Sequence, residues 1–121
     1  MTDEKRNLLS EQLDSLAQIE VGDKGSKIDP RIIANAKRVL ELLNIETLSV
    51  RSTFNATVEF IYGELFPLGI VGIGINTYTL CIQKAESVLL YSYCGNLADP
   101  ELEKHIAYFS RTLNEAISSL A

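Results

Sequence analysis

From Leu48 to Tyr62 the chain alternates. Even positions read Leu48, Val50, Ser52, Phe54, Ala56, Val58, Phe60 and Tyr62; odd positions read Ser49, Arg51, Thr53, Asn55, Thr57 and Glu59, then Ile61. Successive side chains on a strand point to opposite faces. A period of two held this long therefore commits the stretch to half-buried β-structure with one wet face. One unbroken strand of that length is uncommon, so a break or bulge is expected near Thr53 to Asn55, with strands at 47–52 and 56–63.

The flanks change period. Residues 3 to 20 place Leu9, Leu13, Leu16 and Glu20 on one helical face, with Leu8 and Ile19 beside it. Val21 to Lys27 holds Gly22 and Gly25 among charges and reads as a flexible link, so residues 1–27 are expected as a helix plus link that packs loosely, swaps between subunits or docks on a partner. Asp29 suits an N-cap and Pro30 the first helical position, where no backbone donor is needed. Ile32, Ile33, Ala36, Val39, Leu40 and Leu43 form the apolar face of a second helix over 30–43, with Asn44 as a left-handed stop.

After the alternating stretch, Glu64 to Gly69 carries Pro67 and Gly69 and reads as a turn. Strands are expected at 70–75 and 78–84, separated by a bulge or turn at Asn76-Thr77, where apolar parity shifts. Lys84 to Ser87 reads as a polar hairpin loop. Val88 to Cys94 is almost wholly apolar or tyrosine, which suggests a strand buried on both faces or central in the sheet. Asp99-Pro100 repeats the cap chemistry of Asp29-Pro30. Leu102, Ile106, Phe109, Leu113, Ala116, Ile117 and Leu120 mark an amphipathic helix running to the C-terminus, with Glu103, Lys104, Arg111 and Glu115 opposite.

The expected fold is thus a single α+β domain over 1–121: two N-terminal helices, an antiparallel sheet of four or five strands, and a C-terminal amphipathic helix packed on one face. The other face is wet or covered by a second subunit. At 121 residues, 46% apolar and 22% charged, the chain can build one core and not two.

Composition excludes several functions. A net charge of −5 opposes phosphate-tracking nucleic-acid binding and docking on anionic membranes. The longest apolar run, Leu65 to Ile75, is interrupted by Pro67, Gly69, Gly72 and Gly74 and is too short to cross a bilayer. Met1 to Arg6 is charged, unlike a secretory leader. The expectation is a cytoplasmic protein. Cys81 and Cys94, both in strand-like runs, read as small buried hydrophobes, with a disulfide open only if their strands are neighbours.

Catalytic constellations are missing. Gly72-Ile73-Gly74 lies inside a strand run with no helix after it, so it reads as a bulge or close backbone approach rather than a nucleotide loop. His105 is the single histidine and reads as a surface or boundary residue. One histidine and two separated cysteines are too few soft ligands for a zinc site, and no cofactor is indicated. Glu59 and Glu64 face opposite sides of a continuous strand and make no acid–base pair.

Three functional readings remain, of which an enzyme with an unfamiliar site, using His105 or a carboxylate, ranks last. The first is a small acidic, non-enzymatic protein-interaction module (regulator, inhibitor or chaperone-like binder) acting as a homo-oligomer, since apolar surface exceeds what one small core needs. The alternative is a protein that binds a nucleotide-like or other anionic small molecule near Arg51, Asn76, Tyr62, Tyr91 and Tyr93, with Tyr78 in the same sheet. No family motif stands in the sequence. The layout and charge resemble those of small acidic bacterial proteins, secretion chaperones among them, that pair a sheet with a C-terminal amphipathic helix; architecture of that kind implies no particular activity.

Overall fold

A computed structural model describes residues 1–22 and 25–119. The elements run α1 (Asp3–Leu16), α2 (Pro30–Leu42), β1 (Ser49–Ser52), β2 (Val58–Tyr62), β3 (Leu68–Ile73), β4 (Thr77–Ala85), β5 (Val88–Asn96) and α3 (Leu102–Ser118). The strands form one antiparallel meander in the order β1-β2-β3-β4-β5. The fold is α+β, with helices before and after the sheet.

The alternating stretch folds as an antiparallel hairpin. β1 pairs with β2 from Ser49 opposite Ile61 to Ser52 opposite Val58. The expected break is its turn: Thr57 N–H donates to Thr53 Oγ1, the two threonine hydroxyls lie 2.5 Å apart, and Ala56 takes a positive φ of 58°. Phe54, an even position, falls in that turn and is exposed.

Three rows of side chains cross the sheet on the helix side. They are Val58–Ile73–Tyr78–Gly95, Phe60–Val71–Leu80–Tyr93 and Tyr62–Gly69–Ile82–Tyr91. Against them pack Leu9 and Leu13 of α1, Ile32, Ala36, Val39 and Leu40 of α2, and Ile106, Phe109 and Leu113 of α3. Each such buried Leu, Ile, Val or Phe side chain contributes about 1.5–3 kcal/mol relative to exposure. Glycine is required where α3 crosses the sheet: a Cβ on Gly69 would stand 2.6 Å from Leu113 Cδ2. Gly72 lies within β3, where a Cβ would stand 2.5 Å from Thr79 Oγ1, so the glycines mark a close approach in a strand.

Several local expectations are corrected. α1 stops at Leu16 rather than residue 20, because the chain turns at Ala17 and Glu20 forms a bridge with Lys27. α2 is not stopped by a left-handed Asn44. Leu43 turns extended (φ −75°, ψ 139°) as Leu43 and Ile45 both enter the core, while Asn44 N–H donates to Ser110 Oγ and its carbonyl accepts from Asn114 Nδ2. Asp99 makes the same contact as Asp29, accepting from the N–H two residues on, yet α3 begins only at Leu102. β5 is neither central nor buried on both faces. The meander leaves it at the sheet's edge, and Val88, Leu89 and Leu90 are exposed. Asp23 and Lys24 of the expected link, and Leu120 with the end of the last helix, lie outside the described residues.

Candidate interaction surface

The edges of the sheet differ. β1 is four residues long, carries Arg51 and lies against α1. β5 is nine residues long, Val88-Leu89-Leu90-Tyr91-Ser92-Tyr93-Cys94-Gly95-Asn96, with no charge and no proline. Edge strands are ordinarily guarded by charge, proline or brevity, because their free main-chain groups template pairing with another strand. β5 has none of these guards along Tyr91–Asn96. Its one irregularity is near the hairpin, where the register with β4 slips around Gln83.

The free groups can be named. Leu97 N–H donates to Asn76 C=O at 2.7 Å, continuing the β4–β5 register in which Thr77 faces Asn96. Paired residues in an antiparallel ladder alternate between exchanging both hydrogen bonds and exchanging none. Gly95, Tyr93 and Tyr91 therefore bond to β4, whereas Ser92, Cys94 and Asn96 turn their main-chain groups outward. The Asn96 carbonyl is taken by Asp99 N–H at 2.9 Å. Among the described residues nothing takes either main-chain group of Ser92 and Cys94 or the N–H of Asn96, and these stay open to another partner.

An aromatic ladder lines the helix side of this edge. Tyr93 stacks on His105 with ring centroids 4.1 Å apart and planes 20° apart. His105 Nε2 lies 3.7 Å from Glu101 Oε2. Tyr91 packs at 5.1 Å against Tyr108, over which Arg111 stands at 5.3 Å. Tyr91 and Tyr93 are half-buried, and Tyr108 is exposed. Beneath them the Tyr78 hydroxyl is fully buried and has no hydrogen-bond partner among the described residues. Burial pushes its pKa up to about 12, with Tyr93 and Asp99 adding to the shift. Burial also raises Tyr91, helped by Tyr93. At the hairpin end, Leu65 and Phe66 of the β2–β3 turn join Val88, Leu89 and Leu90 as exposed apolar groups.

No family model, no curated protein and no solved structure matches the chain.

The residues singled out for an anionic ligand are not gathered into one cluster. Arg51 lies on the open face of β1, its Nε and Nη2 both 3.0 Å from Glu59 Oε1. Tyr62 is on the helix face of β2, and Asn76 is in the β3–β4 turn. Tyr91 and Tyr93 lie on β5, at the opposite edge and on the opposite face from Arg51. Strands in a sheet lie about 4.8 Å apart, so the width of the sheet separates them. Sequence reasoning missed Tyr108, His105 and Arg111 as neighbours of these tyrosines. Their spacing on the outer side of α3 was the available signal.

Cys81 and Cys94 sit on neighbouring strands, opposite Ser92 and Thr79 on the open face; both thiols are free, and contrary to expectation Cys94 is exposed and Cys81 only half-buried. Burial raises the Cys81 pKa, which keeps it protonated and inert. Among the described residues, no three of His, Cys, Asp and Glu gather where a metal ion could sit, and no helix is long and apolar enough to cross a membrane.

Proposed function

We propose that the chain is a small, acidic, non-enzymatic protein-interaction module, a regulator, inhibitor or chaperone-like binder, that works as a homo-oligomer in the cytoplasm. One observation carries this reading: a nine-residue uncharged edge strand whose outward main-chain groups have no partner among the described residues, and which begins with exposed Val88, Leu89 and Leu90. Strand addition to such an edge takes its affinity from main-chain hydrogen bonds and its specificity from alternate side chains. The acidic balance keeps the protein soluble while that edge is open.

Size-exclusion chromatography with light scattering tests the reading at about 100 μM, well above a micromolar dissociation constant. A mass that is a whole multiple of 13.4 kDa, at least twice that value, is the expected result. A monodisperse monomer at that concentration would remove it.

The ligand reading has one observation in its favour. A cation and aromatic faces do meet, at Arg111, Tyr108 and Tyr91. A planar anion stacked there would raise thermal stability across a nucleotide panel and lose that effect in Arg111→Ala; a flat panel would discard the idea.

A further inference from the structure

We propose that the β5 edge is the self-association surface, and that two copies join there in antiparallel fashion so that their five-stranded sheets become one. This rests on the interaction reading above and names the surface it uses. The main-chain groups of Ser92 and Cys94 face outward, and a two-fold axis perpendicular to the sheet sets one β5 antiparallel to its mate. Such pairing places one residue opposite its own copy. The free groups restrict that residue to Ser92, Tyr93 or Cys94. The β1 edge, short, charged and against α1, offers no equivalent.

The surroundings favour a second copy over an unrelated strand. His105 lies over Tyr93 and Tyr108 over Tyr91, so α3 runs antiparallel to β5, and an axis at Ser92 sits level with the middle of His105–Tyr108. The same axis sets the first half of one α3 beside the second half of the other. Glu101 then comes within one residue of the level of Arg111 of the mate, and Lys104 within one of its Tyr108, so acid lies near base and cation near ring rather than like near like. Beneath the helices, the half-buried Tyr91 and Tyr93 of each copy close over the seam, the aromatic composition typical of interface cores. A foreign strand would satisfy the main chain but not the Glu101–Arg111 match.

The test is disulfide trapping in the full chain. Ser92→Cys and Tyr93→Cys are each made in a Cys81→Ser, Cys94→Ser background, and Cys94 is kept alone in Cys81→Ser. Directly opposed residues in an antiparallel pair have Cα atoms about 4.5–5.5 Å apart, within disulfide range. The expected result is a linked dimer that forms fastest from Ser92→Cys, the axis on which the helix match rests, and none from Ser49→Cys on the β1 edge; fastest linkage at Tyr93 or Cys94 would overturn that match. Cys94→Pro, which removes an outward N–H without touching the β4 ladder, is expected to give a monomer with unchanged circular dichroism. A wild-type dimer that cross-links at none of the three positions overturns the edge assignment while leaving the interaction reading in place. A wild-type monomer overturns both. Should Cys94→Pro fail to fold, the trapping series decides alone.

Discussion

Replacing Tyr78 by phenylalanine is expected to stabilise the protein. The ring is fully buried between Tyr93 and Gly95, and its hydroxyl makes no hydrogen bond within 3.5 Å among the described residues. A buried hydroxyl without a partner costs about 1–3 kcal/mol of lost hydration, whereas the ring's packing survives removal of one oxygen. Tyr78→Phe should therefore gain about 1 kcal/mol at neutral pH. The gain grows in alkali, and its sign follows from the pKa. The folded-state value is raised to about 12 from 10.0, chiefly by burial. Unfolded chains thus release the Tyr78 proton first, and wild-type stability declines as pH rises from about 10 through 12. One pH unit above the unfolded pKa, the extra loss is about 1.4 kcal/mol, and Tyr78→Phe does not suffer it. Urea unfolding followed by circular dichroism at pH 7 and pH 11 measures both quantities. A variant less stable than wild type at pH 7 would show that the hydroxyl is bonded. A wild-type–variant difference equal at both pH values would refute the burial argument.

Other consequences concern the sheet. Gly69→Ala should cost about 1–3 kcal/mol, because its Cβ would stand 2.6 Å from Leu113 in the closed core. Gly72→Ala should stay within about 0.5 kcal/mol of wild type, because the exposed Thr79 side chain can rotate away; comparable losses in urea midpoint for the two would contradict the assigned faces. Arg51→Ala should cost less than about 1 kcal/mol and lose that small effect in high salt, since Arg51 is an exposed partner of Glu59.

What could be read from the sequence follows from how local each signal is. The alternation from Leu48 to Tyr62 fixed which side chains face the helices, because that depends only on strand pleat; Val58 and Phe60 are buried, and Arg51 is exposed. Asp29 and Pro30 marked the start of α2 by chemistry confined to one turn. The position of β5 was not legible. An apolar run looks the same in the middle of a sheet and at its rim, and only the strand order distinguishes them. Arg51 finds Glu59 across a hairpin whose register depends on the Thr53–Thr57 turn. Tyr108, with Arg111 over its ring, meets Tyr91 where α3 crosses the sheet, a crossing in which Leu113 packs closely on Gly69.

Hydrogen exchange at the edge tests the central claim most directly. The outward amides of Ser92 and Cys94 should be protected at high protein concentration and lose that protection on dilution, while the amides of Tyr91 and Tyr93, bonded to β4, stay protected throughout. Fast exchange of Ser92 and Cys94 at every concentration would mean that β5 is a free edge in solution and would contradict the account.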